Sequence, residues 1–301
     1  LNWIENTPSF LLPESKIDEL KNIILSSEDI SISRSVDKCP WGVEVPNDSE
    51  HVIYVWFDAL LNYIFAAGYL TDKFSWEHVI QICGPDNLRF QAVIFQAFLE
   101  SEGIKKSNKL IVHGTVLDAK GKKMSKSEGN TVDPVEQLSK YGLNPVRYYS
   151  LYGLNTYTNS GWNEVDLVNL YNANICNDWG NLLSRVLHLV DTKCNGEVIL
   201  PDNDLQIETF LNDIETAWNN FQIKDALHHT NLLVKHVNKY LNDKEPWKLE
   251  NPVQIISNVY STLNIINDKY YPVFPSKYLE VKKVILNKKK EILFTKLVLP
   301  K

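Results

Sequence analysis

Chemistry concentrates in one short stretch of the 301-residue chain: Gly121-Lys122-Lys123-Met124-Ser125-Lys126-Ser127-Glu128-Gly129-Asn130. With Lys120 just ahead of it the stretch carries four ammonium groups, three of them between the flanking glycines and interleaved with hydroxyls. Cations held in place ahead of reaction stabilise negative charge as it forms, so such a loop suits work on a polyphosphate. It is not a Walker P-loop, because the spacing from Gly114 to Gly121-Lys122 is wrong and no Ser or Thr follows that lysine; no GxGxxG is present either. A solvated surface loop is the plain alternative for any charge run. Three further places stand out, each just after an apolar run: Trp56–Asp58, Gly84–Asp86 and His113–Gly114. An open parallel sheet binds ligands beyond the carboxyl ends of its strands, and these residues would sit there. Ordinary strand-to-helix turns would read the same way.

The runs that must position these residues alternate in type over 1–120. His51–Phe57 is β-branched and aromatic and reads as a strand; a helix follows and ends at Gly68. Val79–Gly84 is a second strand. It leads into a helix over Leu88–Glu100, with Leu88, Ala92, Phe95 and Leu99 at helical spacing and Gly103 as a stop. Lys109–Gly114 is a third strand. Such alternation predicts a parallel sheet covered on both faces. Three strands are few for a doubly wound domain, so further strands are expected from outside the chain.

Beyond residue 131 the pattern turns helical. Asp133-Pro134 and Asn144-Pro145 read as helix starts, and Gly142 between them as a stop. One long helix is expected from Glu164 to about Val190, with Leu167, Tyr171, Ile175, Trp179, Leu183 and Leu187 four apart. Others are expected over Asp204–Phe221, Lys224–Leu241 and from Asn251-Pro252 through Ile266, ahead of a Lys-rich tail from Lys282 to Lys290. Four amphipathic helices on short connections make a bundle.

Composition sets the outer limits. Hydrophobic residues are 44% of the chain, charged residues 23%, and the formal net charge is −6, enough to build a core and contrary to indiscriminate nucleic-acid binding. No apolar run approaches the roughly 20 residues that span a bilayer, and the start LNWIENTPSF lacks the basic and apolar regions of a secretory signal. Cys39, Cys83, Cys176 and Cys194 show no CxxC spacing, so no metal site is expected. The reading is a soluble intracellular protein, cytoplasmic or organellar. A first residue Leu1 in place of Met points to a fragment or a processed product.

The KMSKS run after a strand resembles the second signature of class I aminoacyl-tRNA synthetases. WGVEVP at Trp41–Pro46, VIYVWFDALLNY at Val52–Tyr63, VHG at Val112–Gly114, NLLSR at Asn181–Arg185 and EPWKL at Glu245–Leu249 narrow the resemblance to methionyl-tRNA synthetase, in the family's order from about Pro13 to Phe274. The resemblance implies an α/β plus all-α protein: the C-terminal half of a Rossmann-like parallel sheet (1–120), the KMSKS loop and a connecting segment (121–163), and an α-helical anticodon-binding bundle with a basic tail (164–301). It implies ligation of methionine to its tRNA, with ATP and Mg2+ accompanying activation. Lys126 would contact the phosphates and Lys123 support it, making these two the catalytic lysines. The ATP site would take in Asp86, His113, Gly114, Val116, Lys123, Met124, Ser125, Lys126 and Ser127. Methionine would lie against Trp56, Ala59 and Tyr63, since aromatic walls suit a polarizable thioether, with Asn87 and Gln91 at the same pocket. Asn181, Arg185 and Trp247 would read the anticodon.

Several positions depart from the family. Gly84-Pro85-Asp86-Asn87 stands for the usual Gly-Lys-Asp-Ile, Gln91 for a histidine, Leu60 for proline and Phe95 for tryptophan. Asparagine in place of isoleucine weakens an apolar side-chain site unless its amide is satisfied, so altered side-chain selectivity is one expectation. The first signature, His-Ile-Gly-His, is absent, as are the zinc-knuckle cysteines; His228-His229 is no substitute. The resemblance therefore implies the carboxyl-terminal part of the enzyme, inactive alone, partnered by an N-terminal catalytic portion that is a second chain or a missing segment. Two other readings compete: a non-catalytic tRNA-binding module, and a class I synthetase for another amino acid.

Overall fold

The computed structural model describes residues 1–299 and divides into two compact units, Leu1–Thr115 and a second starting at Val116. The first contains α1 (Asn2–Asn6), β1 (Leu11–Leu12), α2 (Ile17–Leu25), β2 (Ser33–Ser35), β3 (Glu44–Val45), β4 (Asp48–Ile53), α3 (Val55–Ala66), β5 (Ile80–Cys83), α4 (Phe95–Ser101) and β6 (Lys109–Val112). Its parallel sheet has the order β1-β6-β5, with Leu11 opposite Leu110 and Cys83 opposite Val112. Leu110, Ile111 and Val112 are buried, as a central strand covered on both faces requires. The membership differs from the sequence expectation. Residues 51–53 of the expected His51–Phe57 strand belong to β4 of a separate antiparallel sheet, β2-β4-β3, and the helix begins at Val55. The third parallel strand is instead β1, two residues too short to leave a periodicity. β5 alternates, turning Gln81 and Cys83 inward and leaving Ile80 and Ile82 exposed.

The second unit begins with β7 (Val116–Leu117), which pairs in parallel with β8 (Ser160–Gly161). α5 (Pro134–Tyr141) starts as its sequence signals: Asp133 accepts from the Val135 N–H at 2.8 Å, and Gly142, at φ 81°, stops the helix. The second expected cap does not form, because α6 (Leu143–Tyr148) already includes Asn144 in its first turn. α7 (Glu164–Leu170) is capped by Asn163 and runs through a wide-turn segment, Tyr171–Gly180, into α8 (Asn181–Cys194). That widening explains the four-residue stripe. In a 3.6-residue helix each step of four drifts by about 40°, so six such positions would wind halfway around it; wider turns hold them in line. Leu167, Tyr171, Ile175, Trp179, Leu183 and Leu187 are all buried. Around this central run pack α9 (Glu208–Asn219), α10 (Ile223–Lys244), α11 (Val253–Tyr270) and α12 (Pro275–Asn287). α12 corrects the reading of a Lys-rich tail: Val281, Val284 and Ile285 are buried, and Lys282 and Lys283 lie on an ordered helix. A hydrogen-bonded core bridge ties three helices, since Tyr270 Oη donates to Asn231 Oδ1 at 2.6 Å and Asn231 Nδ2 donates to Tyr148 Oη at 2.9 Å. Among the described residues no helix is long and apolar enough to cross a membrane.

Candidate functional site

In the first unit, Trp56, Ala59 and Tyr63 fall on one face of α3 at spacings of three and four. The Trp56 ring stacks on Phe90 at 4.1 Å, and Tyr63 meets Phe95 edge-on at 5.4 Å with 43% of its surface exposed. Leu60, next to them on the helix, is buried with Ile64, Trp76 and Leu99, so its difference from the family pattern is absorbed in the core. Phe95 is likewise fully buried. Gln91 is buried and reaches Tyr63: its Nε2 donates to the Tyr63 hydroxyl at 3.0 Å, while its Oε1 accepts from Gln81 Nε2 at 2.5 Å. Asn87 is half-buried in the short turn after β5, and Asp86 beside it is exposed. The end of β6 lies against that turn. His113 N–H donates to the Cys83 carbonyl at 3.0 Å, its ring lies near the Gly84 Cα, and its Nδ1 is 2.8 Å from the Gly114 oxygen. The three buried cysteines have thiols raised by burial, Cys83 and Cys176 to about 11, which keeps them protonated and unreactive.

The lysine-rich loop in the second unit is braced by two residues that the sequence reading passed over. Asp118 Oδ1 accepts the backbone N–H of Lys120 at 2.9 Å and of Lys122 at 2.8 Å, and its Oδ2 accepts Asn130 Nδ2 at 2.9 Å. These bonds, led by that from Lys122, hold the Asp118 carboxyl below the usual range. Asn130 also donates to the Lys123 carbonyl and accepts from the Ser125 N–H at 2.9 Å, closing the loop across its base. Leu117 bridges to Lys123 in antiparallel fashion. Ser125 Oγ accepts from the Glu128 N–H, Gly129 turns the chain at φ 65°, and Met124 sulfur accepts from the Val132 N–H. Lys122 is paired with Glu128 at 2.5 Å. Lys126 is exposed and, among the described residues, forms no ion pair. Asp118 had one legible signal, an acidic residue three before a glycine, as in a side-chain-capped turn.

On the helical side, Asn181 is exposed at the start of α8, with Arg185 one turn on. Arg185 Nη2 donates to Asn242 Oδ1 on α10 at 2.8 Å, and its guanidinium lies 5.8 Å from the Trp247 ring centre. Trp247 follows buried Pro246 in a short turn that begins at Glu245, a non-glycine residue at φ 42°. Arg185 and Trp247 therefore form a cation–aromatic pair, partly open to solvent. Among the described residues no three His, Cys, Asp or Glu side chains are grouped to hold a metal.

Comparison with known proteins defines the class. The family model described as tRNA synthetases class I (M) matches residues 1–187. A methionine–tRNA ligase of Caldanaerobacter subterraneus subsp. tengcongensis is 35% identical over 263 residues, 83% of this chain and 41% of that protein. One from Synechocystis is 35% identical over 289 residues, covering 89% and 54%. The crystal structure of Mycobacterium tuberculosis methionyl-tRNA synthetase bound by methionyl-adenylate superposes with TM-score 0.84 at 29% identity, over 94% of this chain and 60% of that one. The chain belongs to the methionyl-tRNA synthetase family of class I synthetases. It spans about half the length of the curated relatives that it matches.

Proposed function

We propose that this chain is the KMSKS-bearing and tRNA-reading part of a methionine–tRNA ligase. Residues 1–120 form part of the catalytic domain, 121–163 the loop and connecting segment, and 164–301 the anticodon-binding domain. Activation joins the methionine carboxylate to the α-phosphorus of ATP and expels pyrophosphate, with Mg2+ accompanying the nucleotide. Negative charge grows on the departing phosphates, and Lys126 is the cation that meets it, with Lys123 in support. Asp86, His113, Gly114 and Val116, with Met124, Ser125 and Ser127, line the nucleotide. Trp56, Ala59 and Tyr63 take the thioether side chain. Unpaired anticodon bases hydrogen-bond to Asn181 and Arg185 and stack on Trp247, as splayed single-stranded bases commonly do.

The observation that carries this reading is an exposed Lys126 without an ion-pair partner among the described residues, on a loop fixed at its base by Asp118 and Asn130. A mobile surface lysine run needs no such bracing. The test is methionine-dependent ATP–pyrophosphate exchange by the synthetase that contains this chain. Lys126→Ala is expected to lower the rate about a hundredfold or more at unchanged helix content; normal exchange by that variant refutes the assignment.

A further inference from the structure

The chain has one methionine and four cysteines, and their sulfur atoms differ sharply in access. Cys83, Cys176 and Cys194 are buried as raised, protonated thiols, and the Cys39 thiol is engaged by the Trp41 carbonyl at 3.2 Å. The methionine is Met124, partly exposed inside the lysine-rich loop. Its sulfur acts as an acceptor there: the Val132 N–H donates to it at 3.3 Å. That bond fastens the outgoing side of the loop. On either side of Met124 the backbone is held by Asn130, which donates to the Lys123 carbonyl at 3.2 Å and accepts from the Ser125 N–H at 2.9 Å. Met124 therefore cannot retreat when its side chain changes, except by breaking those two bonds. A thioether is a weak acceptor. It is also readily oxidised, and unlike a thiol it needs no deprotonation first.

We propose that Met124 is an oxidative modification site, at which hydrogen peroxide unfastens the lysine loop and slows activation reversibly. The inference rests on the reading of this loop as the one that meets the departing phosphates. A sulfur lone pair attacks one peroxide oxygen, so the S–O bond forms as the O–O bond breaks. The hydrogen on the transferred oxygen passes to the departing hydroxide, which leaves as water; sulfur loses two electrons and the peroxide gains them. Either placement of the new oxygen ends the Val132 bond as it stands. Facing Val132, the oxygen would have to fit within the 3.3 Å between sulfur and nitrogen, yet an N–H···O bond takes about 2.7–3.2 Å by itself. Facing away, it draws electrons from sulfur and sets a positive atom against the N–H. The side chain becomes polar and turns to water, releasing the segment that carries Lys126.

The test treats the synthetase that contains this chain with hydrogen peroxide, then with catalase, before any substrate methionine is added. Peptide mass spectrometry should find one added oxygen on the Met124 peptide at a dose that leaves helical melting unchanged. Methionine-dependent ATP–pyrophosphate exchange is expected to fall about three- to tenfold, the range for one modest hydrogen bond. It should return when methionine sulfoxide reductases for both epimers, supplied with a dithiol, remove the oxygen as water. Amide hydrogen exchange at Val132 should quicken on oxidation and slow again on repair. Met124→Leu has neither an oxidisable sulfur nor an acceptor, so it should start near the oxidised rate and lose nothing further to peroxide. Should that variant fold poorly, the repair cycle and the Val132 amide in the unaltered enzyme decide the matter. A rate unmoved with Met124 oxidised, a further fall in Met124→Leu, or a Val132 amide indifferent to oxidation overturns the proposal. So does a Met124 left intact while other methionines of the enzyme react. Absence of methionine-dependent exchange before treatment refutes the functional reading instead, and the peptide mass and Val132 amide then still decide the site.

Discussion

The Asn231 bridge offers a demanding test of how the helical unit is held together. Asn231 is 3% exposed and joins Tyr270 of α11 to Tyr148 of α6, whose hydroxyls lie in a core where burial raises both well above the ordinary tyrosine range. Asn231→Leu keeps the volume and removes both bonds. Tyr148 retains Asn174 as a second partner, whereas Tyr270 has Asn231 alone among the hydrogen bonds described for its hydroxyl. One lost neutral hydrogen bond costs about 1 kcal/mol and one orphaned buried hydroxyl about 1–3 kcal/mol, so the expected loss is about 2–4 kcal/mol. Urea unfolding followed by far-ultraviolet circular dichroism measures it on the helical transition. In a Tyr270→Phe background the same substitution should cost about 1–2 kcal/mol less, because the orphan is already gone. A loss below about 1 kcal/mol, or a double variant whose costs simply add, refutes the argument.

Three other outcomes are expected. Glu164 accepts from Tyr141 at 2.5 Å and Gln137 at 2.7 Å and is pulled below the usual carboxylate range, chiefly by the Tyr141 bond. A lowered folded pKa adds stability that is complete above the ordinary Glu range and lost as pH falls through the lowered one, so Glu164→Gln should flatten the acid limb of a melting-temperature profile. Arg185→Lys keeps the charge but loses the planar face toward Trp247 and the fork toward Asn242, and binding of methionine tRNA at fixed salt should weaken about two- to thirtyfold. Asp118→Ala removes three bonds at the base of the lysine loop; exchange should fall roughly ten- to hundredfold with helical melting unchanged.

Long amphipathic stripes were readable because each buried position repeats the same demand. α10 extends three residues beyond its expected end at Leu241, and α11 four beyond Ile266. Short elements were not readable: β1 is defined by pairing with β6, where Leu11 lies opposite Leu110, a contact so distant along the chain that no local period announces it. His51–Phe57 has the composition of a central strand, yet composition does not distinguish parallel from antiparallel partners. The motif residues could be named, but the groups that hold them could not. Asn130 stands in the sequence only as the end of a loop, and Gln81 and Gln96 fall inside an expected strand and helix with no role assigned to them. A polar residue where burial is expected demands a partner, and here each was the other's.

The wide-turn segment at Tyr171–Gly180 has a consequence for evolution of the helical unit. Deleting one residue there would spare most backbone bonds by letting the coil tighten, yet it would swing everything downstream by about 100° about the axis. Leu183 and Leu187 would leave the interior together, and Arg185 would lose its place above the indole. The surplus turn therefore works as a phase lock: it makes a length change in the helix felt first, and in one stroke, by both the packed side and the outer face that carries Arg185.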